Sequence, residues 1–93
     1  MAQHELHVLS NVTETRLTPN GIHSGMDITL QNVNETGFVY IGDEGVTSAS
    51  YGYRIPAGHA WSVELSGQDA LYAIAETDGM ELAKLTVGLE SGN

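Results

Sequence analysis

The 93-residue chain has no cysteine, two prolines, and only three lysines and arginines together. Without cysteine, no disulfide can staple the fold and no thiolate can hold a metal. Three cations against twelve acidic residues give a formal charge of -9 and a pI near 4.5. Phosphate backbones and anionic membranes are bound largely through Lys and Arg, so neither nucleic acid nor a membrane is an expected partner. No apolar run approaches the roughly 20 residues a spanning helix needs. MAQHELHVL lacks a basic segment ahead of an apolar one and is not read as a secretory leader. Asn11-Val12-Thr13 and Asn34-Glu35-Thr36 fit the glycosylation pattern, but without such a leader they are read as chance matches. Helical periodicity is missing as well: no window of helical length carries apolar residues at i, i+3, i+4 and i+7.

A chain of this length makes one domain. It buries only about 60–65% of its unfolded surface, which limits the core. Small domains without staples often gain stability by oligomerising, so self-association is expected before any motif is read.

What the sequence does contain is alternation and turn chemistry. Glu5–Leu9 and Val12–Thr18 read as strands, the second stopped by Pro19-Asn20-Gly21. Met26 to Val33 alternates with period two, with Met26, Ile28 and Leu30 on one face and Asp27, Thr29 and Gln31 on the other. Asn32 to Gly37 turns the chain into Phe38–Ile41. There Phe38 and Tyr40 oppose Val39 and Ile41, as expected of a central strand or one at a subunit contact. Gly42 to Tyr53 is mostly loop, with a short strand at Val46-Thr47, and Ile55-Pro56-Ala57-Gly58 reads as a β-turn. Trp61, Val63 and Leu65 are assigned inward, followed by a turn at Ser66–Asp69 and a doubly buried strand at Leu71–Ala75. Asp78-Gly79 is a hairpin signal. It leads into Glu81–Leu89, where Ala83, Leu85 and Val87 are assigned inward and Lys84 and Thr86 outward.

Turn signals every 8–12 residues between short strands mark an all-β domain with essentially no helix. The expected fold is a small β-sandwich or jelly-roll-like barrel of about seven to eight short antiparallel strands. Residues 1–25 are read as an N-terminal arm with the first strands, 26–89 as the sandwich core and 90–93 as a polar tail. The arm is expected to reach a neighbouring subunit.

Catalytic or cofactor chemistry finds little support. His4 and His7 would project to opposite faces of a strand, and His23 and His59 are isolated, so no metal site is assigned. Asp43-Glu44 and Asp69 lie beside glycines without the spacing of a calcium loop and are read as solvated acids. No G-x-S-x-G elbow or grouped Ser, His and Asp is present, so the chain is not read as an enzyme and no cofactor is assigned.

The only Trp, the only Phe and all four Tyr lie between Gly37 and Ala75. As core residues they would supply buried area. As contact residues, Tyr51 and Tyr53 are best placed, because they sit in a Gly-rich loop and Tyr is enriched at interface centres. Tyr40, Tyr51, Tyr53 and Arg54 form the candidate interface set. Sugar stacking on Tyr51, Tyr53 and Trp61 is a third reading.

Within residues 28–75, the segments Phe38-Val39-Tyr40-Ile41-Gly42, Gly45-Val46-Thr47-Ser48 and Gly52-Tyr53-Arg54-Ile55-Pro56-Ala57-Gly58 occur in order. Leu65-Ser66-Gly67-Gln68-Asp69 and Leu71-Tyr72-Ala73-Ile74-Ala75 follow them. This order resembles a group of small all-β virion proteins of tailed bacteriophages, described as head decoration, head fibre or minor tail proteins. The resemblance covers about the middle half of the chain; Met1 to Gly25 shows no such likeness. It implies a capsid decoration protein, made in the host cytoplasm, that binds the outer capsid surface as a homo-oligomer with a trimer favoured. Its implied partners are the major capsid protein and itself. A minor tail or baseplate protein is the alternative the resemblance leaves open.

Overall fold

The stretches of period-two alternation fold as strands, and their pairing winds the chain into two layers. A computed structural model of the chain describes residues 2–18, 26–65 and 70–88. The strands are β1 (Ala2–Val8), β2 (Thr15–Arg16), β3 (Met26–Asn32), β4 (Phe38–Gly42), β5 (Tyr53–Pro56), β6 (Ala60–Leu65), β7 (Tyr72–Ala75) and β8 (Glu81–Gly88). One sheet has the order β1-β8-β3-β6 and the other β2-β7-β4-β5, with every pair antiparallel. No helix occurs among the described residues.

The pairs β1–β8, β2–β7, β3–β6 and β4–β5 run the first half of the chain back along the second as a ribbon. The lateral pairs β8–β3 and β7–β4 roll that ribbon into two sheets, which is jelly-roll winding. Only β4 and β5 are both consecutive and paired; the other connections pass from one sheet to the other. Asp78-Gly79 therefore does not close a hairpin, because it joins β7 of one sheet to β8 of the other. The turn chemistry itself is present, with Gly79 at φ +89° and the Met80 amide donating to the Thr77 carbonyl. The β-turn after β5 lies one residue later than the sequence suggested. His59 N–H donates to the Pro56 carbonyl, and Gly58 takes the third position at φ +78°, where only glycine is unstrained.

The core lies between the layers. Ile28, Leu30 and Leu82 from the first sheet meet Val39, Ile41, Ile55, Ala73 and Ala75 from the second. Leu9 and Leu17, from the segments beside β1 and β2, complete it with Met80. Trp61 and Val63 pack against it half-buried, on the side assigned from sequence. Among the described residues one polar side chain is fully enclosed. Asn32 donates through Nδ2 to the carbonyls of Gly37 and Ile55, and its Oδ1 accepts from Asn34 N–H and Asn34 Nδ2. Asn34 in turn brackets the start of β8, donating to the Glu81 carbonyl and accepting from Glu81 N–H. A corner that carries the chain between sheets leaves ladder groups open, and these two asparagines satisfy them.

The first strands belong to the sandwich. β1 pairs with β8 over seven residues of its own chain, Leu9 is fully buried, and its N–H and C=O bond to Met80 and Gly79. Val12–Thr18 contributes only the two residues of β2, because the chain spends the rest of that segment crossing between layers. Pro19-Asn20-Gly21, Ser66–Asp69, His23 and the 90–93 tail lie outside the described residues.

Candidate interaction faces

The outer surface of the second sheet carries most of the aromatic set. Across β7, β4 and β5, Ile74, Tyr40 and Arg54 stand in one row, with Phe38 and Tyr72 nearby. Residues 43–52 fold back over this row. Gly52 N–H returns to the Ile41 carbonyl, Thr47 and Ser50 exchange backbone hydrogen bonds, and Val46 is driven into the aromatic cluster at 3% exposure. β4 is thus covered on both faces, as its sequence suggested: by the core on one side and by its own loop on the other.

This arrangement separates the four candidate residues. Tyr40 is buried, and Tyr51 lies on it with ring centroids 4.8 Å apart. Arg54, beside Tyr40, places its guanidinium 4.3 Å from the Phe38 ring centre, within cation–π range. Arg16 sits similarly over Tyr72, donating to its hydroxyl at 2.9 Å. Tyr53 faces the other side of β5 and stacks on Trp61 at the edge where the two sheets meet. Tyr51 and Arg54 are therefore the exposed members of one face, Tyr40 supports them from below, and Tyr53 belongs to the edge. A shallow hollow of about 440 Å³ opens beside Tyr51, walled by Gly42, Asp43, Gly52 and Leu71.

The second face was assigned to the wrong side from sequence. In β8, Leu85 and Val87 point outward at 43% and 46% exposure, whereas Lys84 is only 14% exposed. Register explains the reversal. Leu82 is fully buried and shares a row with Asn32, so with period two Lys84 joins the inner row with Leu30, and Thr86 the row with Ile28. β1 follows: Glu5 lies opposite Lys84 and His7 opposite Leu82, which leaves Leu6 and Val8 outside at 53% and 66% exposure. The outer face therefore reads Leu6–Ala83–Gln31–Ala60 in one row and His4–Leu85–Thr29–Ser62 in the next. Asp27 and Glu64 are opposed in the row beyond. The signal that would have revealed this lies in Met80 and Leu82, which share parity with Lys84 rather than with Leu85.

Beneath this face sits a polar group at the margin of the core. Lys84 Nζ donates to the Leu17 carbonyl at 2.7 Å and lies 3.7 Å from Glu5 Oε1. His7 Nε2 is buried and 3.6 Å from the same carboxylate, beyond hydrogen-bonding distance, and finds no partner among the described residues. Burial and then the nearby Lys84 charge push the His7 pKa below its ordinary value, opposed by Glu5. His4 stands on the opposite face from His7, as the strand period requires. Among the described residues no three His, Asp or Glu side chains converge on one point.

The chain matches no protein-family model, no curated protein and no solved structure.

Proposed function

We propose that this chain is a bacteriophage capsid decoration protein, which binds the outer surface of the assembled shell as a homo-oligomer and links neighbouring major capsid subunits. The observation that carries the reading is the pair of contact-type faces on a small domain. One sheet offers exposed tyrosine and arginine, the residue types enriched at interface centres; the other offers exposed aliphatics. The resemblance within residues 28–75 supplies the phage virion as the setting. A net charge of -9 suits a protein outside the shell, away from packaged DNA. Individually weak contacts suffice on a capsid, because several engaged together multiply in effect.

The aromatic rings favour this reading over a sugar platform. Tyr53 and Trp61 are stacked on each other, so each already spends one ring face on its partner, and Tyr51 leans at 45° against the buried Tyr40.

The test is binding to expanded capsids that lack the protein, read by co-sedimentation, with immunogold labelling of whole particles. Saturable binding and labelled heads are expected, with Tyr51→Ala and Arg54→Ala weakening binding while the domain stays folded and still melts cooperatively. Labelled tails would replace this reading with a minor tail or baseplate protein. No binding to capsids and no label on particles would overturn it.

A further inference from the structure

We infer that the outer face of the β1–β8 pair is the surface through which copies of this chain meet one another. The inference deepens the homo-oligomeric part of the reading above and rests on it.

Leu6, Val8, Ala83, Leu85 and Val87 form one continuous aliphatic block. Leu6 is directly opposite Ala83 and diagonal to Leu85, while Ala83 is diagonal to Val8. Among the described residues its charged neighbours are carboxylates at its ends: Glu81 lies opposite Val8, and Asp27, paired with Glu64, lies opposite Val87, while His4 stands within it. The same two strands turn Lys84 and Glu5 to the other side, where the lysine side chain is only 14% exposed and the glutamate keeps 61%. A solitary domain would gain from the reverse arrangement, with the lysine in water and the aliphatics covered.

Two features make a second copy the occupant. The first is electrostatic. Copies that each carry -9 repel, and a charge-free block with carboxylates at its rim is where they can approach with least repulsion. The second is chemical character. Contacts between like subunits are more apolar than those between independent proteins, which favour Tyr and Arg. The aliphatic block fits the former, and the Tyr51–Arg54 face of the other sheet fits the latter. Among the described residues the block also runs to the edge of the sheet, where β1 pairs with β8 alone. Closed symmetry between copies would cover that edge, which otherwise invites open-ended pairing.

The experiment is sedimentation equilibrium of the intact chain over a concentration series into the high micromolar range. It compares wild type with Leu85→Glu, and with Ser48→Glu as a control that adds the same charge on the exposed loop of the other sheet. Wild type and Ser48→Glu are expected to associate, and Leu85→Glu to associate about tenfold more weakly or not at all, with the same thermal melt for all three at concentrations low enough to keep them monomeric. Because the chain has no cysteine, Leu85→Cys provides a second reading that tolerates any loss of affinity. It should form an intermolecular disulfide on mild oxidation far faster than Ser48→Cys. A wild type that stays monomeric throughout, or an oligomer that survives Leu85→Glu while Leu85→Cys cross-links no faster than the control, overturns the inference. An oligomer broken by Leu85→Glu whose wild type ignores capsids would leave this face standing and remove the decoration reading.

Discussion

The indole of Trp61 lies on the phenol ring of Tyr53, with centroids 5.1 Å apart and planes 18° from parallel, although the two residues belong to different sheets. Their strands, β6 and β5, are edge strands of the two sheets, so this stack closes one side of the sandwich. Trp61→Ala should cost about 2 kcal/mol, less than a fully buried tryptophan, because Trp61 is half-buried. Tyr53→Ala should cost about 1 kcal/mol and shift the emission of the single tryptophan to longer wavelength. Urea unfolding followed by circular dichroism would measure both costs, and tryptophan fluorescence the shift in Tyr53→Ala.

Asn32 is the polar residue on which the β3–β4 corner depends. Asn32→Ala strands the buried Ile55 carbonyl and the half-buried Gly37 carbonyl and frees Asn34 from its acceptor. A loss of about 3 kcal/mol is expected. That corresponds to a fall in melting temperature of more than about 10 °C for a domain this size, which calorimetry would resolve.

Gly37 and Gly58 both have positive φ, at +92° and +78°, but they differ in the space around them. A Cβ on Gly58 would meet nothing within 4 Å, whereas one on Gly37 would lie 3.0 Å from Met80 Cε and 3.2 Å from Glu76 Oε1. Gly58→Ala should therefore cost only the backbone strain, about 1 kcal/mol. Gly37→Ala should cost about 1–2 kcal/mol more, because buried Met80 must also move. Equal denaturation midpoints for the two variants would refute the steric part of the argument.

His7 makes stability depend on pH in a defined direction. Its folded-state pKa lies below the ordinary value of 6.5. Between those two values the unfolded chain binds a proton that the folded chain does not, so stability falls as pH drops. This contribution is fully present above the unfolded pKa, is lost as pH falls toward the folded one, and then levels off. Urea titrations at pH values between about 7.5 and 5.5 should show the decline in wild type and a flatter profile in His7→Gln.

Deleting residues 1–10 should abolish cooperative unfolding, because it removes the whole of β1 and the buried Leu9, whose backbone bonds to Gly79 and Met80. Thermal melts of the truncated chain would show it. A truncated domain that still melts cooperatively, but no longer binds capsids, would instead favour an N-terminal arm working on a neighbouring subunit.

Much of this fold was legible in the residues alone. β3 and β6 alternate so regularly that their inner residues Ile28, Leu30, Trp61 and Val63 could be assigned locally. The doubly apolar β4 and β7 could be placed at the centre of a layer. Turn chemistry marked where the chain reverses, since Gly and Asn preferences act within a few residues. What the chain could not show locally was which strand each turn hands it to. Asp78-Gly79 has the same chemistry whether it closes a hairpin or crosses between sheets, and only the pairing of β8 with β1 and β3 decides between them. That pairing also set the parity of β8. Lys84-Leu85-Thr86-Val87 is equally regular facing either way, and the buried Leu82 beside Asn32 turned the aliphatics outward. Strand character is a local property of side-chain spacing, whereas register and facing are set by contacts between residues far apart in sequence.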